Sequence, residues 1–292
     1  KALNELQIRK VLSDVYLEHL ETIVHSVFML GYKGKVVNTE FFREKHRTTV
    51  SHFLNNGKWN SLQFEKALKR QVIDRIYGES RKSGEPVFCI VDDTIASHTK
   101  PSSQAAHPIE AAYYHQSHLK KRQDYGHQAV SVMLSCNGLS LNYAIVLYDK
   151  THSKIEIVQS IINELPRPPH SAYFLCDSWY ASNKLMDAFD QKGFETIGAL
   201  RTNRIIYPNQ IRQQAKNFAL CICKDDPNVS LVTVGKRNYY VYRYQGKMNN
   251  RDNAVVLLSY PEKFFGDAKS LRVFISTQTN LSTQEILQTS SP

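Results

Sequence analysis

The sequence predicts an α/β fold built on a mixed sheet, with a helical module in front and a strand-rich segment behind. Three features carry that expectation. Two uninterrupted apolar runs, Val87-Phe88-Cys89-Ile90-Val91 and Ala172-Tyr173-Phe174-Leu175-Cys176, have the length of strands buried on both faces. Between them, Asn137-Gly138 separates two alternating segments, 128–136 and 140–148. This is a strong hairpin signal, because both residues tolerate positive φ. Helical periodicity at 151–165 and 182–192 then alternates with strand candidates, the pattern of a sheet flanked by helices.

Taken in order, the first 30 residues read as a helix, with Leu3, Leu6, Val11, Leu12, Val15, Leu20, Ile23, Val24 and Val27 recurring at three- and four-residue spacing. Gly31 and Gly34 break it. A short helix follows at 48–54, opened by a threonine hydroxyl and closed by Asn55-Asn56-Gly57. Trp59, Leu62, Leu68, Val72, Ile73 and Ile76 form another helical stripe. Residues 1–85 are therefore a helical domain, along which Arg43, Lys45, Arg47, Lys58, Lys66, Lys69, Arg70 and Arg75 are spread. It reads either as a helix-turn-helix-like DNA contact or as an ordinary packed helical domain. Ser83-Gly84-Glu85-Pro86 marks a change of texture, and residues 86–200 run strand, hairpin, helix, strand, helix, strand. Pro166, Pro168 and Pro169 end the first helix and Gly193 the second. Residues 201–292 are mostly strands, at 229–234, 238–244, 254–259 and 272–276.

Composition narrows the function classes. With 292 residues, 42% of them apolar, the chain can bury a sizeable core without staples. No apolar run approaches the roughly 20 residues of a membrane span. Five cysteines, at 89, 136, 176, 221 and 223, have neither the even number nor the paired spacing of a secreted disulfide scaffold. The chain opens on Lys1 with no signal segment, so it is cytosolic in character and its start is not expected to be the natural one. The net charge of +10 is unevenly distributed: residues 1–86 carry +5, 87–200 carry −2 and 201–292 carry +7. An acidic centre between two cationic segments suits an enzyme that holds phosphates with lysine and arginine and a metal with acids.

The acids stand where such chemistry needs them. The first apolar run continues into Asp92-Asp93-Thr94 and the second into Asp177-Ser178-Trp179-Tyr180. In open α/β sheets sites form beyond the carboxyl ends of strands. Two carboxylates from neighbouring strands can bind hard cations such as Mg²⁺ or Mn²⁺, which favour oxygen ligands. The competing reading is that each aspartate only turns the chain or caps a helix. Arg201 and Arg204, just past a core strand, are candidates to touch substrate phosphate, as is the polar stretch with Lys120, Lys121 and Arg122. Tyr239, Tyr240, Tyr242 and Tyr244, with Arg237 and Arg243, read either as strand packing or as a surface for bases and phosphates. Histidines 98, 107, 115, 118 and 127 cluster, but no cysteine pair or spaced acid completes a zinc site. Cys221 and Cys223 fit one face of a strand. Neither a GxxxxGK[ST] phosphate loop nor a serine-hydrolase elbow occurs.

Val91-Asp92-Asp93-Thr94, the Gly126-His127-Gln128 strand entry and Phe174-Leu175-Cys176-Asp177-Ser178-Trp179-Tyr180 resemble bacterial insertion-sequence transposases of the DDE (Asp-Asp-Glu) group. Their ribonuclease-H-like core carries a β-strand insertion before the final glutamate. The resemblance spans nearly the whole chain. It implies a ribonuclease-H-like mixed sheet (86–200), an N-terminal helical DNA-binding domain (1–85) and a strand-rich insertion domain with the start of the final core helix (201–292). It also implies Asp92 as the first catalytic and metal-binding acid, with Asp93 as the alternative, and Asp177 as the second. Further implications are two Mg²⁺ (or Mn²⁺) ions, cut-and-paste transposition, and double-stranded DNA partners, both terminal inverted repeats and target. A homodimer on DNA, a cytoplasmic, nucleoid-associated location and no membrane complete that expectation. One departure matters. The family's third acid lies in a helix with a Tyr-x-x-Arg-x-x-x-Glu pattern, whereas here residues 273–277 read as the last strand. Ser282-Thr283-Gln284-Glu285 then fits a capping box, and the chain stops at Pro292 with no helix expected behind that signal. Glu285 is thus read as a cap, the third acid is left unassigned, and the chain is expected to end before it. Two other readings stand beside an active transposase: a catalytically incomplete remnant that binds DNA or inhibits, and a stand-alone ribonuclease-H-like nuclease.

Overall fold

The computed structural model describes residues 8, 11–31, 46–103, 109–117, 120–248 and 251–290. Expectations at Leu3, Leu6, Gly34, Arg43, Lys45, His107 and His118 lie outside the described residues. The chain divides into two units, Lys1–Arg75 and Ile76–Pro292.

In the first unit, helix α1 (Asp14–Leu30) starts later than periodicity suggests, because the Ser13 hydroxyl accepts the Tyr16 N–H and caps it there. Val15 and Val27 of the apolar stripe are exposed, and the buried face is Leu17, His19, Thr22 and Ser26. Helix α2 (Arg47–Asn56) is capped by the His46 ring, not by a threonine: Nδ1 accepts the Thr48 N–H at 3.3 Å. Around its end Phe53 stacks on Trp59 at a centroid distance of 5.7 Å, and Trp59 meets Phe64 edge-on at 5.8 Å. Helix α3 (Ser61–Ser83) contains the division between the units.

The second unit is one sheet flanked by helices. Its strands are β1 (Val87–Ser97), β2 (Tyr113–Ser117), β3 (Arg122–Cys136), β4 (Leu139–Leu147), β5 (Ala172–Cys176), β6 (Glu195–Leu200), β7 (Ile205–Ile206), β8 (Gln213–Gln214), β9 (Val229–Val234), β10 (Arg237–Met248), β11 (Arg251–Pro261) and β12 (Arg272–Ser276). The helices are α4 (Lys154–Glu164), α5 (Asn183–Gln191), α6 (Ala215–Ala219) and α7 (Thr283–Ser290). The Asn137-Gly138 turn has positive φ at both residues and closes the β3–β4 hairpin. Strands β1, β5 and β6 are parallel, and β3 lies antiparallel on the other side of β1, giving the order β4-β3-β1-β5-β6. That is a mixed, ribonuclease-H-like sheet. Because the chain leaves β1 towards β3 and returns on the far side at β5, the strand order reverses there, and a crevice opens at the carboxyl ends of β1 and β5.

The strand-rich segment extends this sheet: β12 pairs antiparallel with β6, and β11, β10 and β9 follow. Arg251 also binds Asp187 and Asp190 of α5, at 3.0 and 2.6 Å. One face of the core is covered by α4 and α5, whose Val158, Ile162, Leu185 and Phe189 are fully buried. The other carries α7, where Ile286 and Leu287 pack with Ile197, Val255 and Leu257. The start signal at Ser282 thus does have a helix behind it, eight residues long. The apolar pair at 286 and 287 had enough sheet to bury against for the turn to propagate.

Gly126 of β3 sits opposite the end of β1, and a Cβ there would lie 2.1 Å from the Ala96 carbonyl oxygen. Since a backbone atom cannot yield as a side-chain end can, Gly126→Ala should cost about 1–3 kcal/mol through strain and loss of the last β1–β3 pairs. A urea midpoint equal to that of the wild type would show that the two strands do not approach so closely.

Candidate active site

The acids are placed by strand alternation. Successive side chains on β1 point to opposite faces, so Val87, Cys89, Val91 and Asp93 share one face and Phe88, Ile90 and Asp92 the other. The parallel register pairs Phe88 with Tyr173 and runs to Val91 with Cys176. The Phe88 and Tyr173 rings stack 5.6 Å apart, so partner positions face the same side. One step beyond the last pair stand Asp92 and Asp177, neighbours on that face.

Strand β1 does not stop at its apolar run. It continues to Ser97 by pairing with β3, with Asp92 opposite Ser131 and Asp93 opposite Val130. Asp92 is open to the cleft, and its Oδ1 accepts the Asp93 N–H at 2.8 Å. Crowding by protein, with Asp93 and Asp177 adding like charge, raises its pKa above the ordinary carboxylate value against the pull of that N–H. Asp177 turns the chain: its Oδ1 accepts the N–H groups of Trp179 (2.9 Å) and Tyr180 (3.1 Å). For each acid the second carboxylate oxygen, Oδ2, is left without a hydrogen bond among the described residues. Asp93 is differently occupied, accepting from Lys154 Nζ at 2.8 Å, from Tyr180 Oη at 3.0 Å and from Gln128 Nε2. Burial, with the surrounding carboxylates, holds the Tyr180 phenol well above its usual range.

Asp92, Asp93 and Asp177 line a cleft of about 600 Å³ together with Lys120, Gln128, Lys154, Trp179 and Arg201. Of the basic candidates, Arg201 and Lys120 therefore reach the acids' cleft. Lys120 is held by Asp124 at 2.6 Å and Ser97 at 2.7 Å. Lys121, at φ 51°, and Arg122 are exposed at the β2–β3 turn and do not line the cleft. Arg204 turns away, donating from Nη2 to the Ala181 carbonyl and so tying down the segment after Asp177.

Glu285 lies elsewhere. Its Oε2 accepts the Ser282 N–H at 2.7 Å while Ser282 Oγ accepts the Glu285 N–H at 3.2 Å, the reciprocal cap expected of it. Burial, with the charges of Glu195 and Glu285, raises the pKa of the Tyr173 phenol on β5. His98 and His127 bond to each other at 2.9 Å. Among the described residues no group of three or more His, Cys, Asp or Glu could hold a metal. Cys221 and Cys223 lie in the turn after α6 and not on a strand, since α6 (Ala215–Ala219) takes up the apolar residues before them. Tyr240 and Tyr242 pack against Phe265 and Phe218, and Arg243 binds the carbonyls of Thr279 and Leu281. Lys154 and the Asp93 contacts of Gln128 and Tyr180 were not legible in the sequence. The only local hint at Lys154 is its place after the Ser153 cap, which opens a helix at the sheet's end.

A family described as "Transposase DDE domain" matches residues 83–288, most of the chain. The chain belongs to the DDE transposase family. Comparison with curated proteins gives no match. As a DDE transposase the chain belongs to a group of nuclease and transposition enzymes with DNA as substrate, and the family uses divalent metal ions. The site fits such an ion: its free oxygens are carboxylate oxygens, the donor class of hard cations, and its like charges favour a cation between them. No helix of the described residues in this transposase is long and apolar enough to cross a membrane.

The raised pKa of Asp92 has a consequence for stability. The folded chain binds this proton more tightly than the unfolded chain, so stability falls as pH rises from the ordinary carboxylate range through the raised value. In metal-free protein Asp92→Asn should therefore melt higher than wild type at pH 7, by about 1–2 °C because cleft water screens the repulsion. The gain should vanish below the ordinary carboxylate pKa. A melting point lowered at pH 7 would refute the unfavourable burial and like-charge crowding of this carboxylate.

Proposed function

We propose that this transposase binds the ends of a DNA element and cleaves and transfers strands in cut-and-paste transposition, with Asp92 and Asp177 holding two Mg²⁺ or Mn²⁺ ions. The observation that carries the reading is the pair of carboxylates sharing one sheet face in a cleft that also contains Arg201. Bound there, the metal would activate the attacking oxygen and stabilise the leaving one in an in-line displacement at phosphorus. The chain's own part is to fix the two acids on strand ends, to offer Arg201 to a phosphate of the incoming strand, and to keep Asp93 out of the cation site by pairing it with Lys154. Mg²⁺ commonly takes one or two carboxylates and completes its shell with water and substrate phosphates, so two aspartates are a workable set.

In the same reading residues 1–85 bind DNA, 86–200 are the catalytic core and 201–292 the insertion domain. Lys120, Lys121, Arg122 and Arg204 border the DNA path, and a homodimer brings two element ends together. Labelled duplex carrying the element's inverted repeat should be nicked or cut with Mg²⁺ present and left intact with EDTA. Retention of the duplex without cutting would instead favour a DNA-binding, catalytically incomplete transposase. That second reading is supported by Glu285, which is spent on capping α7.

A further inference from the structure

We propose that Asp93 is a positioning residue which, through Tyr180 and Lys154, sets the spacing of the Asp92 and Asp177 carboxylates; this rests on the reading that those two hold the divalent cation. The ladder between β1 and β5 ends at Val91 and Cys176, so no backbone pair fixes the distance between the acids one step further on. A side-chain link stands in its place. Asp93 adjoins Asp92 in the chain but points to the helix-covered face, where its Oδ1 accepts the Tyr180 hydroxyl at 3.0 Å. Tyr180 is fully buried and follows Asp177 by three residues, and its N–H is held by Asp177 Oδ1 at 3.1 Å. The circuit Asp92, Asp93, Tyr180, Asp177 thus ties the two strand ends together beneath the cleft.

Lys154 locks the circuit. Its ammonium lies 2.8 Å from Asp93 Oδ2, with the two side chains only 14% and 20% exposed. It also sits 5.0 Å from the centre of the Trp179 ring, inside the turn that Asp177 makes. An ion pair so far withdrawn from water holds its geometry, because either partner left alone would be a buried, uncompensated charge. With Gln128 as a third donor, both Asp93 oxygens are already bonded within the protein, although the residue lines the same cleft as the two acids. It adjoins the ligand pair without being a ligand. Groups that orient metal ligands in this way typically change metal affinity by 10–100-fold when lost.

The test is Mn²⁺ titration of the full chain without DNA, with free ion read from its electron paramagnetic resonance signal. Asp92→Asn should abolish binding. Tyr180→Phe keeps the ring and its packing, and should weaken binding about tenfold or more. Asp93→Asn, which breaks the ion pair with Lys154, should weaken it similarly. Lys154→Arg, which keeps the charge, should stay within about threefold of wild type, and circular dichroism checks that each variant is folded. Wild-type affinity in both Tyr180→Phe and Asp93→Asn would overturn the proposal. So would Asp93→Asn abolishing binding while Tyr180→Phe does not, because Asp93 would then be a ligand itself. Unchanged binding in Asp92→Asn is a different failure: it would remove the cation-holding reading beneath the proposal.

Discussion

Asp177→Ala should lower Mg²⁺-dependent cleavage of inverted-repeat DNA by on the order of a thousandfold or more, equivalent to about 4 kcal/mol of transition-state stabilisation. Asp177 sits where β5 leaves the sheet, and its second carboxylate oxygen is unused by the protein. Alanine removes that oxygen and also frees the N–H groups of Trp179 and Tyr180 that fix the turn. Asp92→Ala should do comparable damage by removing the facing carboxylate. Affinity for the same duplex, measured by gel shift in EDTA, should hold or rise in both variants, because lost negative charge does not weaken phosphate contacts. Cleavage above about a tenth of wild type in either variant would sink the assignment of that residue.

Phe189→Ala should destabilise the folded chain by about 3–5 kcal/mol. Phe189 is completely buried on α5; its ring lies flat on Phe174 at a centroid distance of 3.7 Å and edge-on to Phe194 at 5.8 Å. Close-packed neighbours fill such a space only in part, so a void would remain where the ring had been. For a unit of this size the loss corresponds to a fall in melting temperature of about 10 °C. Ile145→Ala, on an exposed position of β4, should change stability by less than about 0.5 kcal/mol. Equal effects from the two substitutions would contradict the placement of α5 over β5.

Much of the core was legible because its signals are local. Ser153 with Glu156 opens α4, Ser182 opens α5, Gly193 ends it with φ 86°, and Asn137-Gly138 turns the hairpin. Each is a matter of a few neighbouring residues. Each misreading has its own physical cause. An apolar run measures burial on two faces, so it placed the end of β1 at Val91, whereas antiparallel pairing with β3 carries the strand to Ser97 through residues that face a cleft. Strand β2 (Tyr113–Ser117) went unseen because its residues are largely polar and its strand state comes from pairing with β3. At α2 the cap passed to His46, a residue type outside the usual cap set.

What the sequence by itself determined is that two buried strands lead into aspartates, since hydrophobic length and turn chemistry are written in consecutive residues. The family resemblance favoured Asp92 over Asp93, but the apolar pattern by itself did not separate them. Neighbours on a strand point to opposite faces, and only the register with β5 selects which of them stands beside Asp177. Nor could it foresee the partner of the other acid, Lys154, which is 61 residues away and is brought to Asp93 by the path of the β3–β4 hairpin and α4. The chain specifies its acids by local pattern, and the sheet decides which of them face each other because facing is a property of paired strands.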